Sequence, residues 1–272
     1  MLARDAHTCE HFGMRRAFTK FVAAGMLACI AGAASAGERE SFLAGEAASC
    51  ATCDLAGADL SGRELKRAKL DNANLKGAIL VAASLFRATL TRANLSGAKL
   101  AGANLNLVDA KWADLSGADL SSALLYEADL SGANLAGANL QIARLGRARL
   151  NQADLQRTIL TGADLTGARL AGAKLAGATM RAVKLNGQNL RDMDLRGIDF
   201  AAADMVEADL TGVDLRGADL TGVDLFGATL HGADLRGAKF DGARLTNAIL
   251  SDTKRDGASF DGALMPSGWE KE

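Results

Sequence analysis

Three sets of residues in this chain have types and spacings that could do chemistry. His7-x-Cys9-x-His11 has the spacing of metal ligands, but it precedes a second candidate start, Met14. Cys50 and Cys53 form a Cys-x-x-Cys pair, a spacing that elsewhere holds zinc, anchors haem or closes a disulfide. Haem attachment requires His after the second Cys, where Asp54 stands, and the vicinity offers no second pair of zinc ligands. Two readings remain for the pair: apolar plugs in a core, or a disulfide locking the first turn in an oxidising compartment. The third set is a run of carboxylates at five-residue intervals: Asp194, Asp199, Asp204, Asp209, Asp214, Asp219 and Asp224. Nothing converges on them, and the third histidine, His231, stands alone. Catalysis needs converging polar groups in a partly dry concavity. No enzyme activity, catalytic residue, cofactor or metal site is expected.

The spacing of five belongs to the whole chain. From Leu55 to Met265 a large apolar residue stands at every fifth position, with exceptions such as Ala110 and Arg255. Two residues before it lies a small one, usually Ala, as in Ala133-Asn134-Leu135. On an α-helix a period of five rotates the side chain by about 500°, which scatters it round the cylinder. On a flat strand an odd period sends successive Leu to opposite faces. Both conflicts vanish if the chain turns a corner once per repeat. Ala and Leu then share the inner side of a short strand, Asp or Asn points out, and a pair such as Ser131-Gly132 makes the bend. The product is a filled tube.

This pattern resembles the pentapeptide repeat family, over roughly residues 50–265. The resemblance implies an all-β fold, a right-handed quadrilateral parallel β-helix with about 20 residues per coil. About 11 coils at roughly 4.8 Å each would make a rod near 50 Å long. A four-sided count also suits Met180, Phe200, Phe240 and Phe260, which differ by multiples of 20 and would stack on one inner face. Met205 and Met265 would share the next. At Ala110 the lost volume is partly restored by Val108 at the neighbouring small site, as close packing requires. Arg63 and Arg255 occupy inward positions near the two ends, where their charges are expected to escape to solvent. Gln188, Met193 and Ile198 crowd three successive small sites, so a local bulge is expected there.

Four segments follow: an N-terminal extension and signal peptide over 1–36, a cap over 37–49, the repeats over 50–265 and a tail over 266–272. Arg15, Arg16 and Lys20 precede an apolar stretch, Phe21 to Ala34, that closes on Ala34-Ser35-Ala36. Those are the three parts of an export signal, and the apolar run is too short to span a bilayer. Arg15-Arg16-Ala17-Phe18-Thr19-Lys20 resembles a twin-arginine signal. A lipoprotein anchor at Cys29 fits less well, because apolar sequence continues beyond it. The expected location is periplasmic or secreted, with no membrane span in the mature chain. At the rod's ends, Phe42, Leu43 and Ala47 on a short helix could cover the first coil, and Trp269 could fold over the last.

Charge is distributed in bands. Residues 192–234 hold ten acidic side chains against two basic ones. Residues 144–184 hold eight basic against two acidic, among them Arg144, Arg149, Arg169, Lys174 and Lys184. Stacking by 20 would set Asp194 near Asp214, Asp199 near Asp219 and Asp204 near Asp224, an unfavourable approach of like charges. Loss of the first 36 residues, with four basic and two acidic side chains, moves the formal charge from −1 to about −3. A near-neutral rod is no general nucleic-acid binder. The residues therefore imply a non-enzymatic, exported structural or protein-interaction module whose bands meet a partner protein, a basic one at the acidic band, or another rod. The alternative implied by the resemblance is a cytoplasmic, DNA-mimicking protector of type II topoisomerases.

Overall fold

The computed structural model describes residues 37–269, all within one compact unit, Ser35–Glu272. The export signal, His7, Cys9, His11 and the last three residues lie outside the described residues. The chain winds as a right-handed, four-sided parallel β-helix. With two exceptions, each outward residue from Ser49 to Arg244 pairs in parallel with the one 20 positions on, as in Asn74 with Asn94 and Asn94 with Asp114. The step of 20 means that four repeats close a coil.

The hydrogen bonds explain why the repeat is five residues long. In the repeat around Leu75, the Leu75 N–H donates to Asn94 O one coil ahead, at 2.7 Å. The Asn74 N–H donates back to Cys53 O at 2.9 Å. Gly77 N–H donates ahead to Ser96 O, and Ala78 N–H closes the corner on Leu75 O at 3.0 Å. The remaining amide, Lys76 N–H, is taken by the Asn74 side chain at 3.3 Å. Every donor has an acceptor, which a backbone packed coil on coil requires. Asp and Asn recur at the outward site because their short side chains reach the amide two residues on. Ser61 N–H on Asp59 and Thr211 N–H on Asp209, both at 3.0 Å, repeat the contact.

The corner residue must take φ > 0, and every position ending in 2 or 7 from Thr52 to Gly262 does. Twenty of these are not glycine, including Leu107, Trp112 and Ile142. A left-handed side chain costs about 1–2 kcal/mol, so the ladder must overcome that strain repeatedly. Gly132 is required twice over. Its φ is +66°, and a Cβ there would collide with the Trp112 ring lying across it from the preceding coil.

Inside, Leu and Ala sites from Cys50 to Ala248 are buried with few exceptions. Met180, Phe200 and Phe240 are buried on one inner column, and Phe260 stacks on Phe240 at 5.0 Å between centroids. Val108 and Ala110 are both buried, consistent with exchanged volume. Residues 37–44 form helix α1, whose Phe42 is buried against the first coils while Leu43 packs beside it. Arg63 is half-buried rather than freely solvated. Its guanidinium turns back to donate to Leu43 O and Phe42 O, at 2.8 and 3.1 Å, beside the Gly45 N–H that Phe42 O also accepts, and so caps the end of α1. At the other end Arg255 lies over Trp269, which leans on Phe260 at 5.4 Å.

Leu130→Ala should lower the unfolding free energy by about 2–5 kcal/mol, since a rigid coil collapses poorly around a missing side chain. Gly132→Ala should cost at least the left-handed strain of about 1–2 kcal/mol. Denaturant titration of both variants checks this. A loss below about 1 kcal/mol for Leu130→Ala would mean the interior is loosely filled.

Candidate interaction surface

The inward half of nearly every repeat is sealed, so outward residues and corners make up the surface. With 20 residues per coil, the seven aspartates spread over all four sides. Asp194 and Asp214 share one side, Asp199 and Asp219 the next, Asp204 and Asp224 the third, and Asp209 lies on the fourth. The acidic band therefore encircles the coil.

Its predicted self-repulsion is corrected by arginines that a windowed charge count does not resolve. Arg196, Arg216 and Arg236 each follow an outward Asp by two residues and recur every 20. Each forms a bidentate pair with that Asp, at 2.6–2.7 Å for Asp194–Arg196 and 2.7–2.9 Å for Asp214–Arg216. Arg196 also approaches Asp214 at 3.7 Å and Arg216 approaches Asp234 at 3.8 Å, so the charges alternate along the column. On other sides Arg181 pairs with Asp199, Arg191 with Asp209 and Arg244 with Asp224. Asp204 takes a bond from Asn186 at 2.8 Å. Single exposed pairs are worth about 0–1 kcal/mol. Their main effect here is to cancel the negative surface.

The paired guanidinium holds each carboxyl of the Asp194, Asp214 and Asp234 column below its ordinary range, Asp234 at about 2. The Thr211 and Thr221 hydroxyls lower Asp209 and Asp219 in the same sense.

The basic band is less compensated. Arg149 reaches Asp129 at 3.5 Å, and Arg147 reaches Glu127 at 3.6 Å. Among the described residues Arg144, Arg169, Lys174 and Lys184 make no ion pair within 4.0 Å. Arg149 and Arg169 are brought together as bridge partners. Arg144 and Lys184 share a side with Asp164 between them, and Lys174 lies on another. Sequence reasoning missed Tyr126, whose ring lies against Gly146 with the Arg147 guanidinium 5.9 Å from its centroid. Around that corner run two shallow grooves of about 470 and 590 Å³. Arg144 and Arg147 line the first, and Arg147, Arg149 and Arg169 the second. The signal for Tyr126 was its turn position, one residue before a corner.

Cys50 and Cys53 are joined by a disulfide with Cα atoms 5.2 Å apart, and both are buried. They flank a corner as Leu75 and Ala78 do, so the fold brings such a pair together whatever its chemistry. His231 bonds Ser251 at 2.9 Å and lies 3.3 Å from Asp252 on an exposed corner. Among the described residues no cluster of His, Cys, Asp and Glu is placed to hold a metal ion, and no helix is long and apolar enough to cross a membrane.

A family model described as pentapeptide repeats matches in overlapping stretches from 53–92 to 228–265. Among solved structures, HetL of the cyanobacterium Nostoc sp. strain PCC 7120, described as involved in heterocyst differentiation regulation, is 34% identical. That match covers 86% of this chain and 98% of HetL, with a TM-score of 0.33. The pentapeptide repeat protein alr5209 of Nostoc PCC 7120 is 42% identical over 34% of this chain and 69% of its own, with a TM-score of 0.17. Full-length QnrB1, a plasmid-mediated fluoroquinolone resistance protein, is 18% identical over 75% of this chain and 91% of its own, with a TM-score of 0.30. No curated protein matches.

The aspartate–arginine column makes a pH prediction. Asp234 sits at about 2 when folded, below the ordinary carboxylate value of 3.8, so its pair contributes fully above that ordinary value. The contribution is lost as pH falls from about 4 through about 2. The melting temperature of the wild type should therefore fall more steeply over that window than that of Asp234→Asn. Parallel curves would mean the column adds no stability.

Proposed function

We propose that this chain, which belongs to the pentapeptide repeat family, is a non-enzymatic module exported to the periplasm or beyond, where its rigid charged exterior binds a protein partner. The observation that carries this reading is the filled interior: Leu and Ala occupy it from end to end, so outward side chains are left to meet other molecules. Export is supported by the charged, apolar and small-residue succession of the first 36 residues. The bonded Cys50–Cys53 pair supports it too, since such bonds persist in oxidising compartments.

Duplex mimicry in the cytoplasm draws less support. A duplex carries one negative charge per about 1.7 Å of axis. Here Asp194, Asp199, Asp209, Asp214 and Asp224 each have an arginine partner, so their field is largely cancelled. The surface that keeps a net positive charge is the basic band around Arg144, Arg169, Lys174 and Lys184, which Asp154 and Asp164 offset only in part. This reverses the sign of partner that the acidic run suggests: an anionic protein surface fits better than a basic one. Rod-to-rod pairing of opposite bands loses its acidic half for the same reason.

Cell fractionation tests the location. The expected outcome is a shortened chain, processed after Ala36, in the periplasmic or extracellular fraction, and retention of the precursor when Arg15 and Arg16 are both changed to Lys. An unprocessed chain confined to the cytoplasm would reject export and restore the topoisomerase alternative.

A further inference from the structure

The ladder runs from Ser49 to Leu264 with one interruption among the described residues. The bridges that would join Arg169 to Asn189 and Lys174 to Asp194 are missing, while Asp164–Lys184 and Thr179–Asp199 on either side are intact. Over this stretch the amides of Gly167, Leu170, Gly172, Leu175 and Gly177 make no bond to the coil ahead. Those of Asn189, Asp194 and Asp199 make none to the coil behind. Two of the four sides are therefore open between these coils.

The cause is steric. Gln188, Met193 and Ile198 stand at three successive small sites, directly over Ala168, Ala173 and Ala178. Their volume wedges the coils apart, because a close-packed tube has no slack to absorb it. Gln188 is 5% exposed, and its side-chain amide donates to Leu165 O and Ala168 O, both at 2.8 Å. It thereby takes the carbonyl that the Asn189 amide would use in a regular coil. Water reaches the core here: Ala173 and Met193 are half-buried, where Ala133 and Ala153 are fully covered.

Two grooves of about 430 and 440 Å³ follow the opening and share Gly172, Arg191 and Met193. Arg169 and Lys174, the outward residues at the two missing bridges, are without ion pairs among the described residues. Arg191 across the opening is paired with Asp209, and Asp194 on the far rim is neutralised by Arg196. The opening thus sets freed amides on the Arg169 and Lys174 rim opposite freed carbonyls, among them Asn189 O and Asp194 O, with Asp192 also on the lining. An added strand can use both amides and carbonyls, and the two cations on the amide rim favour acidic side chains in it.

We propose that this open seam is the docking site for an extended acidic peptide segment of a partner protein. The segment's carbonyl and carboxylate oxygens accept bonds from the Leu170, Gly172, Leu175 and Gly177 amides, and its acidic side chains pair with Arg169 and Lys174. The mode is strand addition, in which main-chain bonds supply affinity and alternate side chains supply selectivity. It rests on the interaction-module reading and names the class of partner.

The test uses the full chain and two fluorescent probes, the hexapeptide (Glu-Val)3 and its basic counterpart (Lys-Val)3. The triple variant Gln188→Ala, Met193→Ala, Ile198→Ala restores the small sites and keeps every charge. Fluorescence anisotropy should give saturable binding of the acidic probe alone. Affinity should fall at least tenfold in the triple variant and at least tenfold in Arg169→Ala/Lys174→Ala. Hydrogen exchange of the four seam amides should slow when the acidic probe is added to the wild type. Equal affinity in the triple variant would reduce the effect to surface charge and overturn the seam. So would seam amides that exchange at the same rate with and without probe, a readout that stands even if the triple variant misfolds. A partner captured from envelope extracts equally by both forms would preserve the interaction module while removing the seam.

Discussion

The accounting of backbone amides governs this molecule. A regular repeat with an outward Asp or Asn has five N–H groups, each with one address: the coil ahead, the coil behind, the corner carbonyl or the outward Asx side chain. That allocation works only if the chain advances by the same 20 residues at every turn. It dictates a small residue and a large residue inside, a corner at φ > 0 and an outward side chain short enough to reach the turn. Strain at Leu107, Trp112 and Ile142 is tolerated because neighbouring coils hold these corners on both sides. A substitution is therefore judged by which address it removes. Gln188 is instructive, since it removes one and supplies a side-chain substitute.

Regular stacking also converts sequence spacing into surface chemistry. Residues 20 apart become neighbours, and so do an outward residue and the turn residue 18 behind it, as in Arg181 with Asp199. Charges distant along the chain are thereby interleaved. The Asp–Arg column from Asp194 to Arg236 is one outcome and the Arg149–Arg169 pair is the opposite one. The first silences a band that a count along the chain makes strongly acidic. The second leaves the basic band exposed as the electrostatic feature of the exterior. Fold alone does not assign function; a partner would be selected by these groups and by the seam beside them.

The seam lies where the two bands meet. Regular coils offer a ligand only convex side chains, because the backbone is consumed internally. Where three bulky residues part the ladder, backbone groups return to the surface beside Arg169 and Lys174. An interruption in a solenoid is thus the place where main-chain recognition becomes available, and its local instability is the cost of that availability.

Much of this was legible in the residues themselves. The fivefold recurrence of Leu with Ala two before it excludes helix and flat strand on geometry alone. The 20-residue spacing of Met180, Phe200, Phe240 and Phe260 is compatible with four sides, and the crowding at Gln188, Met193 and Ile198 marks where the ladder would yield. These are local properties: a side chain's size and its period decide which way it points. What only the tertiary structure decided is who faces whom. Arg196, Arg216 and Arg236 cancel the aspartates, Arg63 serves α1 rather than solvent, and Tyr126 lies on Gly146, because each contact joins residues brought together by winding. Coulomb interaction and hydrogen bonding depend on distance through space, and distance through space is set by the coil, which no window of sequence contains.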